Sequence, residues 1–338
     1  MKRRGIISAG SWLVDSVKMI GRYPSAGNLT TIERVETGLG GCAHNVLVNL
    51  ARLDAGLPLY AGGCIGRDAF GDYVLREIDR HGIDRRHMMV LDDAATSYTD
   101  VMSESSGAAT RTFFHFRGAN ARLDAARVLA MRSPARIFHL GYLLLLDELD
   151  RPDPEYGVVA ARVLRELQRS GYETSVDVVS EEGDRFRRIV EPCLPYIDYL
   201  IVNEVEAGAI CGAELRTAAG ELLRDRVRTA AAALVDRGVG RLCAIHFPEG
   251  GYALQRDGGE CFCPSIPVAT SDIVSAVGAG DAFCAGMLYA LHEELPLDRA
   301  LRMANAAARF NLFSATSTGG APTLDRIETF IRENYPNP

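Results

Sequence analysis

The chain predicts an α/β fold: a doubly wound, mostly parallel sheet with helices on both faces and a small β-sheet lid. Three observations carry that prediction. From Arg136 onward, short apolar runs bounded by turn residues alternate with longer amphipathic runs, the order that places a parallel sheet between helical layers. Before Arg136, strand-like stretches fall near 12–37 and 94–118 and suit a small sheet beside the main body. No internal repeat, low-complexity segment or Pro/Ser-rich linker divides the 338 residues, so one domain is expected over 1–338.

The elements follow in order. Residues 5–13 read as a buried first strand, and 16–37 as short runs of mixed polarity around the turn Pro24-Ser25-Ala26-Gly27-Asn28. Gly40-Gly41 precede an amphipathic helix over 45–53, with Val46, Leu47, Leu50, Ala51 and Leu53 on its apolar side. A strand at 59–65 leads to a helix at 71–81 that stops at Gly82. Residues 96–117 alternate as strands do, most clearly over 110–116. Strands are then predicted at 136–140, 173–179, 198–202, 241–246 and 251–255, with helices near 154–170, 184–191, 204–211 and 220–237.

Composition bounds the function. The net charge is −7 and no Lys/Arg block occurs, which argues against nucleic acid as a partner. The basic start Met1-Lys2-Arg3-Arg4 precedes only a brief apolar run, so no signal peptide is read, and nothing approaches a membrane span. Eight cysteines without a paired CxxC are neither a disulfide framework nor a zinc motif. Cys261 and Cys263, on a strand-like run, read as small core residues. A cytoplasmic protein with reduced thiols is expected.

The run Ser275-Ala276-Val277-Gly278-Ala279-Gly280-Asp281 is the most informative. Its small residues let backbone N–H groups approach an anion, and the apolar residues from Ala282 onward open a buried helix. The positive start of such a helix suits a phosphoryl group in transit. Asp281 stands where a carboxylate can accept a proton from an attacking hydroxyl; the plainer alternative is a helix N-cap.

Further motifs join it. They are Gly10 to Asp15, Leu39-Gly40-Gly41-Cys42-Ala43-His44-Asn45, the stretch 63–71 followed by His81-Gly82-Ile83-Asp84, Arg117-Gly118-Ala119-Asn120, and Asn203-Glu204-Val205-Glu206. In this order the chain resembles the ribokinase-like carbohydrate kinases of the PfkB family, from Gly10 to about Leu324. The resemblance implies an ATP-dependent kinase acting on a hydroxyl of a sugar or sugar derivative. It implies Asp281 as general base, with the backbone of Gly278, Ala279 and Gly280 as an anion hole. Asp15, Gly40, Gly41 and Asn45 would then hold the polyhydroxylated acceptor. Asn203 and Glu206 would organise Mg²⁺ and the triphosphate, Glu206 through water, and Asn305 would lie beside the adenine. His246 and Gly250 mark the expected nucleotide turn. Structural alternatives stay open: Glu204 and Glu206 complement a helix dipole equally well, Asn305 suits a solvated helix face, and Asp15 suits a turn.

The departures bear on substrate. Ser275, Ala276 and Val277 replace the acidic residue and Thr usual in the family, so dependence on a monovalent cation is doubtful, with Asp272 as a partial substitute. His246-Phe247-Pro248-Glu249 replaces a Gly-rich nucleotide turn, and Gly141 stands where ribokinase carries a substrate-binding Glu. Plain ribose is therefore not the expected acceptor. Arg111, His115 and Arg117 alternate in sequence; on one face of a lid strand, Arg111 or Arg117 would favour an anionic acceptor. Open lid edges suggest a homodimer. The competing functions are a nucleoside kinase and a ligand-binding protein that keeps the fold without turnover.

Overall fold

The first apolar run folds as β1 (Ile6–Gly10), buried along its whole length. It ends at Gly10, where φ is 137° and a Cβ would stand 1.8 Å from the Gly141 carbonyl oxygen. Only glycine fits there. The strand expected over 5–13 is therefore broken at Gly10, and the chain turns out of the main sheet into β2 (Leu13–Ile20). Our computed structural model describes residues 3–104, 111–180, 183 and 185–335.

β2 pairs antiparallel with β3 (Ile32–Gly40) and parallel with β6 (Tyr98–Glu104), which pairs antiparallel with β7 (Arg111–Phe116). These four strands are the lid, in the order β3-β2-β6-β7, where the alternating stretches placed it. Thr110, at the start of the expected 110–116 run, lies outside the described residues.

Between the lid strands the chain lays down α1 (Cys42–Arg52), β4 (Leu59–Gly66), α2 (Ala69–Arg80) and β5 (Asp84–Leu91). The α1 helix starts three residues earlier than its apolar spacing indicated. β5 has no counterpart in the sequence reading, because an edge strand with Arg85, Arg86 and His87 carries no continuous apolar run.

Beyond α3 (Ala125–Ala130) the alternation becomes regular, with β8 (Ile137–Leu143) and a short hairpin of β9 (Pro152–Asp153) and β10 (Gly157–Val158). That hairpin occupies the start of the helix expected from 154, so α4 covers only Val159–Arg169. β11 (Glu173–Val178), α5 (Arg185–Val190), β12 (Tyr199–Asn203), α6 (Glu204–Cys211), α7 (Arg224–Asp236) and β13 (Leu242–Phe247) follow. Asp184, first in the helix expected over 184–191, lies outside the described residues. β14 (Gly250–Gln255) and β15 (Glu260–Pro264) close one sheet edge, before α8 (Ala279–His292), α9 (Leu297–Asn311) and α10 (Leu324–Asn334).

The main sheet runs β15-β14-β13-β12-β11-β8-β1-β4-β5, parallel from β13 to β5 and antiparallel at β14 and β15. Its two faces bury separate apolar cores. One holds side chains of α1, α2, α8, α9 and α10; the other holds those of α3 to α7. That is the doubly wound arrangement the alternation predicted.

Candidate active site

Chain order reverses beside β1. β4 and β5 lie to one side, β8, β11, β12 and β13 to the other, so a crevice opens at the carboxyl ends of β1 and β8. Gly10 and Gly141 are register partners at that point. Gly41 (φ 92°) sits against the turn after β1, where a Cβ would lie 2.4 Å from the Ser11 carbonyl oxygen. The glycine pair thus lets α1 start at the crevice.

Asp281 lies in the first turn of α8, buried at 6 % exposure. The helix N-cap is Gly278 (φ 80°), and no side chain caps it, so the reading of Asp281 as a cap does not hold. Its carboxylate faces the crevice instead. Asn45 Nδ2 donates to Oδ2 at 2.8 Å, and the Tyr142 hydroxyl donates to Oδ1 at 3.0 Å. Asn45 is fixed in turn: its Oδ1 accepts from the Ser317 hydroxyl at 2.9 Å and lies 2.8 Å from His44 Nδ1. Burial raises the Asp281 pKa to about 6, against the opposing pull of the Asn45 and Tyr142 hydrogen bonds.

The start of α8 is shaped for close approach. A Cβ on Gly278 would stand 2.2 Å from the Ser317 carbonyl oxygen. The Ala279 N–H already donates to the Ala276 carbonyl at 3.2 Å, so Ala279 is spent within the turn. Helix geometry leaves the N–H groups of Gly280 and Asp281 without partners four residues back. His246 borders this turn, 3.2 Å from where a Gly280 Cβ would be, and its ring packs on Phe283 with centroids 4.9 Å apart. Burial lowers its pKa to about 4, so it is neutral near pH 7. Gly250, expected in the nucleotide turn, belongs to β14, and a Cβ there would meet the Cys263 carbonyl oxygen at 2.3 Å. That glycine is required by strand packing.

Asn203 and Glu206 form a reciprocal capping box at the start of α6. The Glu206 N–H donates to Asn203 Oδ1 at 2.8 Å, and the Asn203 N–H to Glu206 Oε2 at 2.9 Å. The Ser180 hydroxyl donates to Glu206 Oε1 at 2.7 Å. Burial lifts the Glu206 pKa to about 7. Glu204 turns away to pair with Arg216 at 2.7 Å. The two acidic residues therefore do different work.

Asp15 stands on the lid face in a cross-strand row with Gly38, Thr99 and His115. Burial raises its pKa to about 6, opposed by its hydrogen bond with Thr99. A Cβ on Gly40 would lie 2.2 Å from Asp15 Oδ2, which explains the second glycine of the pair. Thr99 Oγ1 is 3.0 Å from His115 Nδ1, so the basic residue beside Asp15 is His115.

The expected trio of basic residues does not share one strand face. Arg111 is four residues along β7 from His115, about 13 Å at the usual rise, and its side chain lies outside the described residues. Arg117 falls beyond the end of β7, at the start of a short 3₁₀ turn, and pairs with Asp147. The strand alternation that linked them in sequence stops at Phe116.

Three other residues are placed plainly. Asn305 is buried rather than solvated, and its amide donates to the Cys263 carbonyl at 3.0 Å, tying α9 to β15. Ser275 is buried, while Asp272 is exposed in a short turn. Sequence reasoning missed Tyr142, Thr99, Ser180 and Ser317, each of which orients one of the carboxylates or its partner. Single hydroxyls on loops and strands give no pattern to find.

The chain matches the pfkB family carbohydrate kinase domain over residues 8–324. It belongs to that family. This pfkB kinase is 25% identical over 332 residues to an ATP-dependent ribose-1-phosphate kinase of Halopiger xanaduensis, covering 98% of the chain and 99% of the relative. It is 24% identical over 332 residues to a ribokinase of Bacillus subtilis, covering 97% and 99%. Its fold is that of Arabidopsis thaliana ribokinase solved with ribose and ATP, with a TM-score of 0.79, 21% identity and coverage of 98% and 99%. The chain is a phosphotransferase acting on a hydroxyl group. No described helix is long and apolar enough to cross a membrane.

Proposed function

We propose that this pfkB kinase transfers the γ-phosphoryl group of ATP to a hydroxyl of a sugar or sugar derivative held between lid and sheet. The observation that carries the proposal is the buried Asp281 carboxylate, aimed by Asn45 and Tyr142 at the crevice where α8 begins. In the reaction the acceptor oxygen bonds to phosphorus as the bond to the ADP oxygen breaks, and the hydroxyl proton passes to Asp281. The N–H groups of Gly278 and Gly280 face the charge on the transferred group. Asp15 and Asn45 orient acceptor hydroxyls, through fixed donors and acceptors.

Glu206 suits a hard cation. Its oxygens accept from Ser180 and from the Asn203 backbone, and no Lys, Arg or His is among its partners in the described residues. Glu206 through water, beside Asn203, would hold Mg²⁺, which neutralises triphosphate charge when bound.

The acceptor is proposed to differ from plain ribose. A Cβ on Gly141 would lie 2.4 Å from Cys42 Sγ, so this backbone has no room for an acceptor-binding side chain there. The test is ADP release with Mg-ATP against ribose, ribose phosphates, sugar acids and nucleosides. A derivative is expected to exceed ribose in kcat/KM. Ribose as the best substrate would refute this part alone. Melting shifts with a sugar but no turnover with any acceptor would support the binding-protein alternative.

The pH profile gives a further check. Asp15 and Asp281 titrate at about 6 and Glu206 at about 7, all raised by burial. Each works as a carboxylate, so kcat/KM falls as pH drops below these values, more steeply than one proton would give. In Asp15→Asn the acid limb is expected to become shallower. An unchanged slope would remove Asp15 from the acceptor site.

Among the described residues the lid also leaves β3 and β7 as open edges and exposes Ile32, Val35, Phe113 and Phe114. A homodimer through the lid is part of this reading. A monomer by light scattering at micromolar concentration would count against it.

A further inference from the structure

A second cluster of chemically active side chains lies beside the crevice. Cys42 is the first residue of α1, His139 lies within β8, and Asp177 near the end of the neighbouring β11. Cys42 and His139 are fully buried, and Asp177 is 8 % exposed. His139 pairs in register with Ser175; the register shifts just beyond, yet Gly141 and Asp177 stay adjacent, since a Cβ on Gly141 would lie 3.5 Å from the Asp177 Cβ. Gly141 leaves the space that the thiol fills: a Cβ there would meet Cys42 Sγ at 2.4 Å.

We propose that Cys42, His139 and Asp177 form a binding site for one thiophilic divalent transition-metal ion of the zinc class. The ligand atoms Sγ, Nε2 and a carboxylate oxygen all lie within 4.8 Å of one another. Two donors on a tetrahedral zinc ion stand about 3.6 Å apart when the bonds are about 2.3 Å to sulfur and about 2.05 Å to nitrogen or oxygen. Here Cys42 Sγ is 3.6 Å from Asp177 Oδ2 and 3.1 Å from His139 Nε2, so the thiol stands within about half an ångström of tetrahedral spacing from both partners.

The polar atoms behind the ligands are already committed. His139 Nδ1 lies 3.0 Å from the Ser175 hydroxyl, which leaves Nε2 toward the thiol. Asp177 Oδ1 accepts from the Val178 N–H at 2.8 Å, which leaves Oδ2 toward the same point. Such outer contacts orient ligands at metal centres. Three protein ligands leave a fourth position open. One thiolate and one carboxylate balance a divalent charge, and binding releases the Cys42 thiol proton, with any proton on Asp177, to solvent. Mixed sulfur, nitrogen and oxygen donors select zinc or cobalt over magnesium, so this site is separate from the triphosphate cation.

The test uses the full chain, stripped with chelator and titrated with Zn²⁺ against a chromophoric competitor. One equivalent is expected to bind with a Kd of about 1 µM or tighter. Cys42→Ser and His139→Gln should each weaken it by at least about 100-fold. Co²⁺ should give tetrahedral visible bands and a sulfur-to-metal charge-transfer band that Cys42→Ser abolishes. X-ray absorption of the Zn²⁺-loaded wild type needs no variant and should report one sulfur with nitrogen and oxygen ligands. No stoichiometric binding, no sulfur in the coordination sphere, or a Co²⁺ spectrum unaltered by Cys42→Ser would each overturn the site. These readouts do not depend on kinase turnover, so their failure leaves the proposed reaction untouched.

Discussion

Asp281→Asn is expected to lower kcat by at least about 100-fold, the scale of a lost general base, while ATP binding changes little. The substitution keeps size and shape. The carboxamide oxygen that it introduces can accept from Asn45 Nδ2, and the carboxamide nitrogen can donate to the Tyr142 hydroxyl oxygen, so both contacts of the native carboxylate survive. What disappears is the group proposed to take the proton. The native carboxylate is also buried with its pKa raised to about 6, which means that its charge is held in the folded state at a cost. Removing that charge should leave the melting temperature near pH 8 unchanged or higher, in keeping with strain held at a working site. Turnover within threefold of wild type, in a variant that melts normally, would return Asp281 to a structural role. A lower melting temperature with a proportional loss of activity would show that the variant fails through lost structure rather than through its missing proton acceptor.

The site is legible in sequence wherever a residue type has a single physical use. Gly41 and Gly278 stand out as glycines before helix starts, and both adopt a positive φ against a backbone carbonyl. Asn203 and Glu206 stand out as a pair three residues apart, and they meet as a capping box. Regular alternation after Arg136 fixes the sheet because β8, β11, β12 and β13 are buried on both faces. Legibility fails where a role comes from a residue distant in sequence. Tyr142 reaches Asp281 across 139 positions, and nothing in the run Leu140 to Leu146 marks it as more than an apolar strand end. Arg117 shows the opposite error. Its two-residue spacing from His115 looked like strand periodicity, but β7 ends between them, so the period did not apply. In sequence Cys42 is one residue of the Gly40-Gly41 loop motif and His139 belongs to no motif; the parallel pairing of β8 with β11 brings His139 to Asp177, and the start of α1 brings Cys42.

Gly278→Ala is expected to reduce kcat by at least about 100-fold and to lower the melting temperature as well. The φ of Gly278 is 80°, a region that an L side chain enters at a cost on the order of 1–3 kcal/mol. Space is the second obstacle. The new Cβ would lie 2.2 Å from the Ser317 carbonyl oxygen and 2.7 Å from the Ser317 Cα. Backbone cannot swing aside as the end of a flexible side chain does, so either the 314–320 loop or the first turn of α8 must move. Both movements reach the proposed reacting centre. The Ser317 hydroxyl holds Asn45 Oδ1 at 2.9 Å, and Asn45 aims Asp281; the first turn of α8 carries Asp281 and the Gly280 N–H. Loss of one aligned donor to a developing oxyanion costs about 100- to 1000-fold in rate. Ser317→Ala separates the two routes, because it removes the hydroxyl contact without displacing the helix. A larger kcat loss in Gly278→Ala than in Ser317→Ala assigns the effect to the helix start. Near-normal kcat in Gly278→Ala, with an unaltered melting temperature, would mean that this turn does not hold the transferred phosphoryl group.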